Sequence, residues 1–257
     1  MTIRPRFIVT ALALTGMLAV AGTAFAAAAG TVPASGPSGK GVCAAAAQAV
    51  RANQSVETLK AFGNCEIDRR LASLDKLAGV VTNSKVLTAS DRSALSDKIG
   101  TDKSGLTALR ATIDASTSVS ELKADVKKIA ADYRVYLLLT PQVRLVSGAD
   151  AVAAAGARFT DISTRLSAGI AKAKAAGKDT TGAQGHLDAM NAAVARAVTL
   201  AQPIPGRLLP LTPADWNSGA AGPVVTKARA DLVSARTQLR TAVAEAKACR
   251  QALLALR

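Results

Sequence analysis

The chain has little of what most folds and most active sites are built from. Aromatic residues make up 3% of it, with one Trp, two Tyr and four Phe. A β-sandwich core wants aromatic and β-branched residues in alternation, so that class is disfavoured. The same shortage removes the stacking platforms on which single-stranded nucleic acids bind, which argues against a nucleic-acid partner. The single histidine, His186, has no cysteine nearby, so no metal site is expected. A Ser-His-Asp triad would have to use this histidine from within an Ala-rich helix. Gly177-Lys178-Asp179-Thr180 resembles the end of a phosphate loop, but neither Ser nor Thr follows Lys178 directly and no strand precedes it. Glu66 and Asp68 are two apart on a helix and point to different faces, so they make a poor acid–base pair. No catalytic residues and no cofactor are read from the chain. A hydrolase is the least favoured reading.

Acidic residues are also few. Asp and Glu number 18 against 32 Lys and Arg, a formal charge of +14. Such an excess draws a protein to anionic partners, such as cell-wall polymers, anionic lipid or acidic proteins. A GC-rich genome would enrich Arg, Ala and Gly without selection for binding, and composition leaves both explanations open.

Long apolar runs are confined to the N-terminus. Arg4 and Arg6 precede the run from Phe7 to Val20, and Ala24-Phe25-Ala26 supplies a small-x-small cleavage site. The run falls short of the ~20 residues of a spanning helix. Residues 1–26 read as a cleaved signal peptide and 27–40 as a flexible Ala/Gly/Pro/Ser leader. The mature chain is expected to have no transmembrane segment and to be secreted, extracellular or envelope-associated. Export makes a disulfide possible for Cys43, Cys65 and Cys249. Cys43–Cys65 is the first choice, closing a short loop, and Cys65–Cys249 is the runner-up.

What remains, 41–257, reads as one all-α domain, an elongated antiparallel bundle with coiled-coil character. Ala is the best helix former, and small residues let helices pack closely. A short helix is expected near Val42–Ala52. A second would be capped by Ser55 and ended after Phe62 by Gly63-Asn64. Ile67, Leu71, Leu74, Leu77 and Val81 then mark a long helix over Cys65–Thr82. Thr88 with Asp91, and Ser118 with Glu121, form capping-box patterns opening two more. The second of these is expected to reach Leu139, with a kink or a very tight break at Thr140-Pro141. Helices stopping at Gly177 and starting near Thr181 follow. Pro203–Pro223 reads as a Pro-rich loop, and a last helix runs from about Val224. Tyr133 and Tyr136 are expected in a packed central layer. Trp216 is read either as a recognition residue or as a plug on the bundle end, with the plug ahead. Asp68-Arg69-Arg70 is placed on or beside the solvent face.

The clearest candidate site is a pair of basic rows. On the last helix Arg229, Arg236, Arg240 and Lys247 fall within a narrow arc beside the apolar face. Arg158, Arg165 and Lys172 recur every seven residues on an earlier helix. Such residues commonly cover apolar surface with their stems and pair with neighbouring helices. If the two helices are neighbours, the rows instead form a continuous anion-binding surface.

Cys65-Glu66-Ile67-Asp68-Arg69-Arg70-Leu71, with Asp132-Tyr133-Arg134-Val135-Tyr136 and Pro141-Gln142, resembles a group of secreted α-helical proteins of high-GC Gram-positive bacteria to which no activity is assigned. The resemblance covers roughly residues 60–180. It implies an envelope or extracellular setting and brings no catalytic residues. The expectation is a non-enzymatic helical protein associating with an anionic envelope component, a cell-wall polymer or lipid surface. The competing expectation is a protein-interaction or self-associating, adhesin-like spacer.

Overall fold

Ser and Thr caps set where several of the helices begin in the computed structural model, which describes residues 41–256. The expected signal peptide and leader lie outside the described residues. Helix α1 spans Ala44–Ala52, α2 Val56–Asn83, α3 Ala89–Ala115 and α4 Val119–Ala131. A π-helical turn, Val135–Leu139, leads into α5, Thr140–Ala175. Then come α6, Thr181–Ala201, the short α7, Ile204–Leu208, the short α8, Pro213–Asn217, and α9, Ala221–Ala255. The described residues are all-α, as expected. None of their helices is long and apolar enough to cross a membrane.

Ser55 and Thr58 cap α2 reciprocally. The helix does not end at Phe62 as expected. Gly63 is buried inside it, and a Cβ there would lie 3.2 Å from Ile113 Cδ1 and 3.3 Å from Val126 Cγ2. This glycine serves close packing against α3 and α4 rather than termination, so two expected helices are one. Cys43 and Cys65 are joined by a disulfide, with Cα atoms 5.8 Å apart. It ties α1, a nine-residue helix without a buried residue of its own, to α2. So short a helix is marginal alone, and the crosslink supplies its tether. Cys249 is free and buried in α9.

Thr88 caps α3 by accepting from Asp91 N, but the second half of the expected box comes from elsewhere. Asp150 of α5 accepts the Thr88 N–H at 2.8 Å. Burial raises the Asp150 carboxyl, the Thr88 bond opposes this, and the nearby Asp91 carboxylate raises it further. Ser118 likewise caps α4, while Glu121 accepts from Ser116 Oγ instead of from the cap backbone. Arg92 closes the far end of α2, donating to the carbonyls of Val81, Thr82 and Ser84.

The chain does not break at Thr140-Pro141, where the π turn runs directly into α5. The chain breaks about two turns earlier, at Asp132–Arg134, where Val135 N donates to Tyr133 O at 2.8 Å across Arg134 (φ −76°, ψ 48°). That is an inverse γ-turn. Pro141 then sits in the first turn of α5, where a missing N–H costs nothing. The π turn bridges the two, with Thr140 N and Thr140 Oγ1 both donating to Val135 O.

Gly177 ends α5 with φ +72°. Gly177 N bonds Lys174 O and Lys178 N bonds Ala173 O, a Schellman pair. The expected Pro-rich loop, 203–223, is largely ordered helix. Pro205 and Pro213 stand in first turns of α7 and α8, where proline is tolerated, and α9 begins at Ala221, before Pro223. Thr212 and Asp215 form a full capping box. Gln142, 1% exposed, donates through Nε2 to Leu208 O at 2.7 Å and Leu211 O at 3.0 Å, pinning this segment onto α5.

The helices pack as two threes: α2, α3 and α4, then α5, α6 and α9. In α9, Leu232 and Leu239 turn inward every seven residues, with Ala228, Ala235 and Ala242 between them. Ala193, Ala197 and Ala201 of α6 are likewise buried. Small residues on both helices permit a short interaxial distance, within the usual 8–10 Å range.

Asp102 lies on α3 near Lys98, whose ammonium donates to Leu211 O at 3.2 Å. Burial raises the Asp102 carboxyl to about 6, with Lys98 partly offsetting. An acid raised in the folded state binds more protons folded than unfolded between about 4 and 6. Its ionisation therefore lowers stability as pH rises through that window. The stability difference between Asp102→Asn and wild type is expected to grow in favour of the variant from pH 4 to pH 7.5. Urea melts at both pH values measure it, and a pH-independent difference would refute this placement of Asp102.

Candidate functional site

The two basic rows lie on neighbouring helices that run in the same direction. A Cβ at Gly148 of α5 would lie 2.5 Å from Leu232 Cδ2 and 3.2 Å from Arg236 Nη2 of α9. At Gly169, 21 residues on, it would lie 3.1 Å from Leu253 Cδ1, also 21 residues on. Equal steps along both chains mean parallel helices. Helix α6 packs against both in the opposite sense. Gly156 of α5 faces Val198 of α6, and His186 of α6 meets Glu245 of α9 at 2.7 Å.

These contacts orient both rows. On α5, Gly148 and Gly169 face α9 while Gly156 faces α6. Arg158, Arg165 and Lys172 sit in the heptad position next to Gly148 and Gly169, on the side away from α6. On α9, Glu245 marks the α6 side and Arg236 the α5 side. Arg229 shares the heptad position of Arg236, and Arg240 and Lys247 occupy the adjoining one. The seven cations therefore border one outer face formed by α5 and α9 together. All seven are exposed, and none makes an ion pair or side-chain hydrogen bond among the described residues.

Two more cations belong to this face that the sequence reading missed. Arg144 precedes Arg158 by 14 residues, and Arg250 follows Arg236 by 14. Each row skips a heptad, at Ala151 and at Val243, which hid the continuation. Extending the seven-residue step across one gap would have found both. Arg158 to Lys172 spans about 21 Å and Arg229 to Arg250 about 31 Å, at 1.5 Å per residue. Asp161 is the one acid beside the α5 row, and it has no ion-pair partner among the described residues.

The other half of the fold treats its charges differently. Residues 41–139 carry 14 Lys and Arg against 11 Asp and Glu, whereas 140–257 carry 15 against 7. In the first half Asp68 pairs with Arg110, Asp75 with Lys103 at 2.6 Å, and Asp125 with Lys128 at 2.8 Å. Glu66 binds both Arg69 and Arg70. Burial would raise the Glu66 carboxyl, but the two guanidiniums hold it below its ordinary value. Arg70 is buried, a correction to its expected place at the solvent face. Tyr136 lies at the surface instead of in a central layer, its ring 4.8 Å from the Arg69 guanidinium and 5.6 Å from that of Arg70. Its hydroxyl donates to Arg69 O at 3.1 Å. Tyr133 and Trp216 are half-buried against the core.

No protein family, characterised protein or solved structure matches the chain. The site must therefore be read from its own geometry. Two shallow depressions open on the surface, one at Lys103, Ser104 and Thr107, the other at the α5–α6 turn around Lys178, Asp179 and Thr181. In the second, Asp179 accepts from Thr181 N at 2.9 Å, which holds its carboxyl below the ordinary range. No group of three or more His, Cys, Asp or Glu among the described residues is placed to hold a metal ion. His186, paired with Glu245, stands on α6 at the opposite flank of α9 from the cations.

Proposed function

We propose that this is an exported, non-enzymatic helical protein that associates electrostatically with an anionic component of the cell envelope through the α5–α9 face. One observation carries the reading: nine exposed cations without ion-pair partners among the described residues line one face, in the half of the fold that carries 15 Lys and Arg against 7 Asp and Glu. Composition alone would scatter arginines without regard to the helix side. Surface ion pairs contribute only about 0–1 kcal/mol each, so leaving these cations unpaired costs the fold little. Their field adds up along two rows and attracts an extended anion.

The form beginning at residue 27 is expected to cosediment with purified bacterial cell envelopes at low salt. Half-molar salt, where the screening length is about 4 Å, releases it. Absence of binding at low salt would sink the proposal.

A further inference from the structure

The face carries more than charge. The heptad position holding Arg240 and Lys247 continues to Val233 on one side and Leu254 on the other. Val233 is 59% exposed and Leu254 45%, two of the five large apolar side chains left in solvent among the described residues. They stand about 31 Å apart along one line of α9, with the two cations between them. The outward positions beside this line are Ala230, Thr237, Ala244 and Gln251, small or hydroxylated except the last. Gln251, an uncharged polar side chain, is the one long residue in that row.

Resting on the anion-binding reading, we infer that the partner of the α5–α9 face is the headgroup region of an anionic lipid bilayer, on which the two helices lie lengthwise. Charge complementarity supplies the attraction, and Val233 and Leu254 enter the boundary between headgroups and acyl chains. Amphipathic interfacial helices combine cations and apolar residues in this way. A hydrated wall polymer has no apolar layer to receive Val233 and Leu254.

The experiment uses residues 27–257, which hold the whole described fold and lack the apolar N-terminal run. Binding is measured to phosphatidylglycerol-containing vesicles, to pure phosphatidylcholine vesicles and to a purified anionic wall polymer. Binding to the anionic vesicles alone among the lipids is expected. Val233→Ser with Leu254→Ser should weaken it about tenfold, since each side chain buries several carbons in the interface. The pair should leave any polymer binding unchanged. Val42→Ser, which removes an exposed apolar residue of the other half of the fold, should bind vesicles as wild type does. Circular dichroism melts confirm that each variant is folded. Undiminished vesicle binding by the double variant overturns the inference. Polymer binding without vesicle binding also overturns it, while leaving the broader anion-binding proposal standing. Failure to bind either surface removes both.

Discussion

Reversing Arg158, Arg165, Arg236 and Arg240 to glutamate is expected to lower affinity for an anionic surface by about a thousandfold or more. A basic side chain near such a surface contributes about 1 kcal/mol. Four of them correspond to about three decades in the dissociation constant, and the new carboxylates add repulsion. The fold should tolerate the change within about 1 kcal/mol, because all four residues are exposed and none is paired. Reversing Arg51, Lys76, Lys123 and Lys127 makes the comparison decisive. It alters net charge by the same amount, using exposed cations of the other half. That control should lose much less. Equal losses in the two variants would mean that total charge matters and the face does not. The unpaired rows would then be surface decoration, and cosedimentation would follow net charge alone.

Substituting Gln142 by alanine is expected to destabilise the protein by about 2–4 kcal/mol. Two hydrogen bonds to Leu208 O and Leu211 O disappear, and a fully buried side chain leaves a void. The buried Leu208 carbonyl loses this partner, and its desolvation is no longer offset. In a domain of this length each kcal/mol lowers Tm by about 2–4 °C, so a fall of roughly 5–15 °C is expected. Amide exchange should accelerate first across 204–217, because Gln142 is what fastens α7 and the turn after it to α5. A fall below 2 °C, or unchanged exchange in that segment, would show that Lys98 and the local apolar contacts suffice. Arg134 offers a comparison: it donates to Asn217 from an exposed position, where water readily replaces the bond.

Local signals were legible where the chemistry was local. The caps at Ser55, Thr88 and Ser118 open helices because a short hydroxyl reaches its own N3 amide within one turn. Gly177 ends α5 because only glycine takes φ +72° without strain. The seven-residue rows on α5 and α9 could be counted directly. Misreadings came where a residue answers to a distant partner. Gly63 looked like a stop signal until Ile113 and Val126 filled the space above it. Pro141 looked like a kink or a tight break, whereas the γ-turn at Arg134 put the break upstream and left the proline in a first turn. The completed caps were also misjudged, since Asp150, 62 residues away, supplies what Asp91 was expected to give at Thr88.

The sequence by itself determined that the described chain is helical, where most helices begin, and which side of α5 and of α9 carries cations. Those properties depend on the 3.6-residue repeat and on interactions within a turn or two. Only the tertiary structure decided that the two sides share one face. That required α5 and α9 to be neighbours and parallel, with α6 on the opposite flank. The arrangement follows from close packing at Gly148, Gly156 and Gly169 and along the alanines of α6 and α9. Such packing depends on which surfaces meet, and the spacing of residues along one helix carries no record of its neighbour.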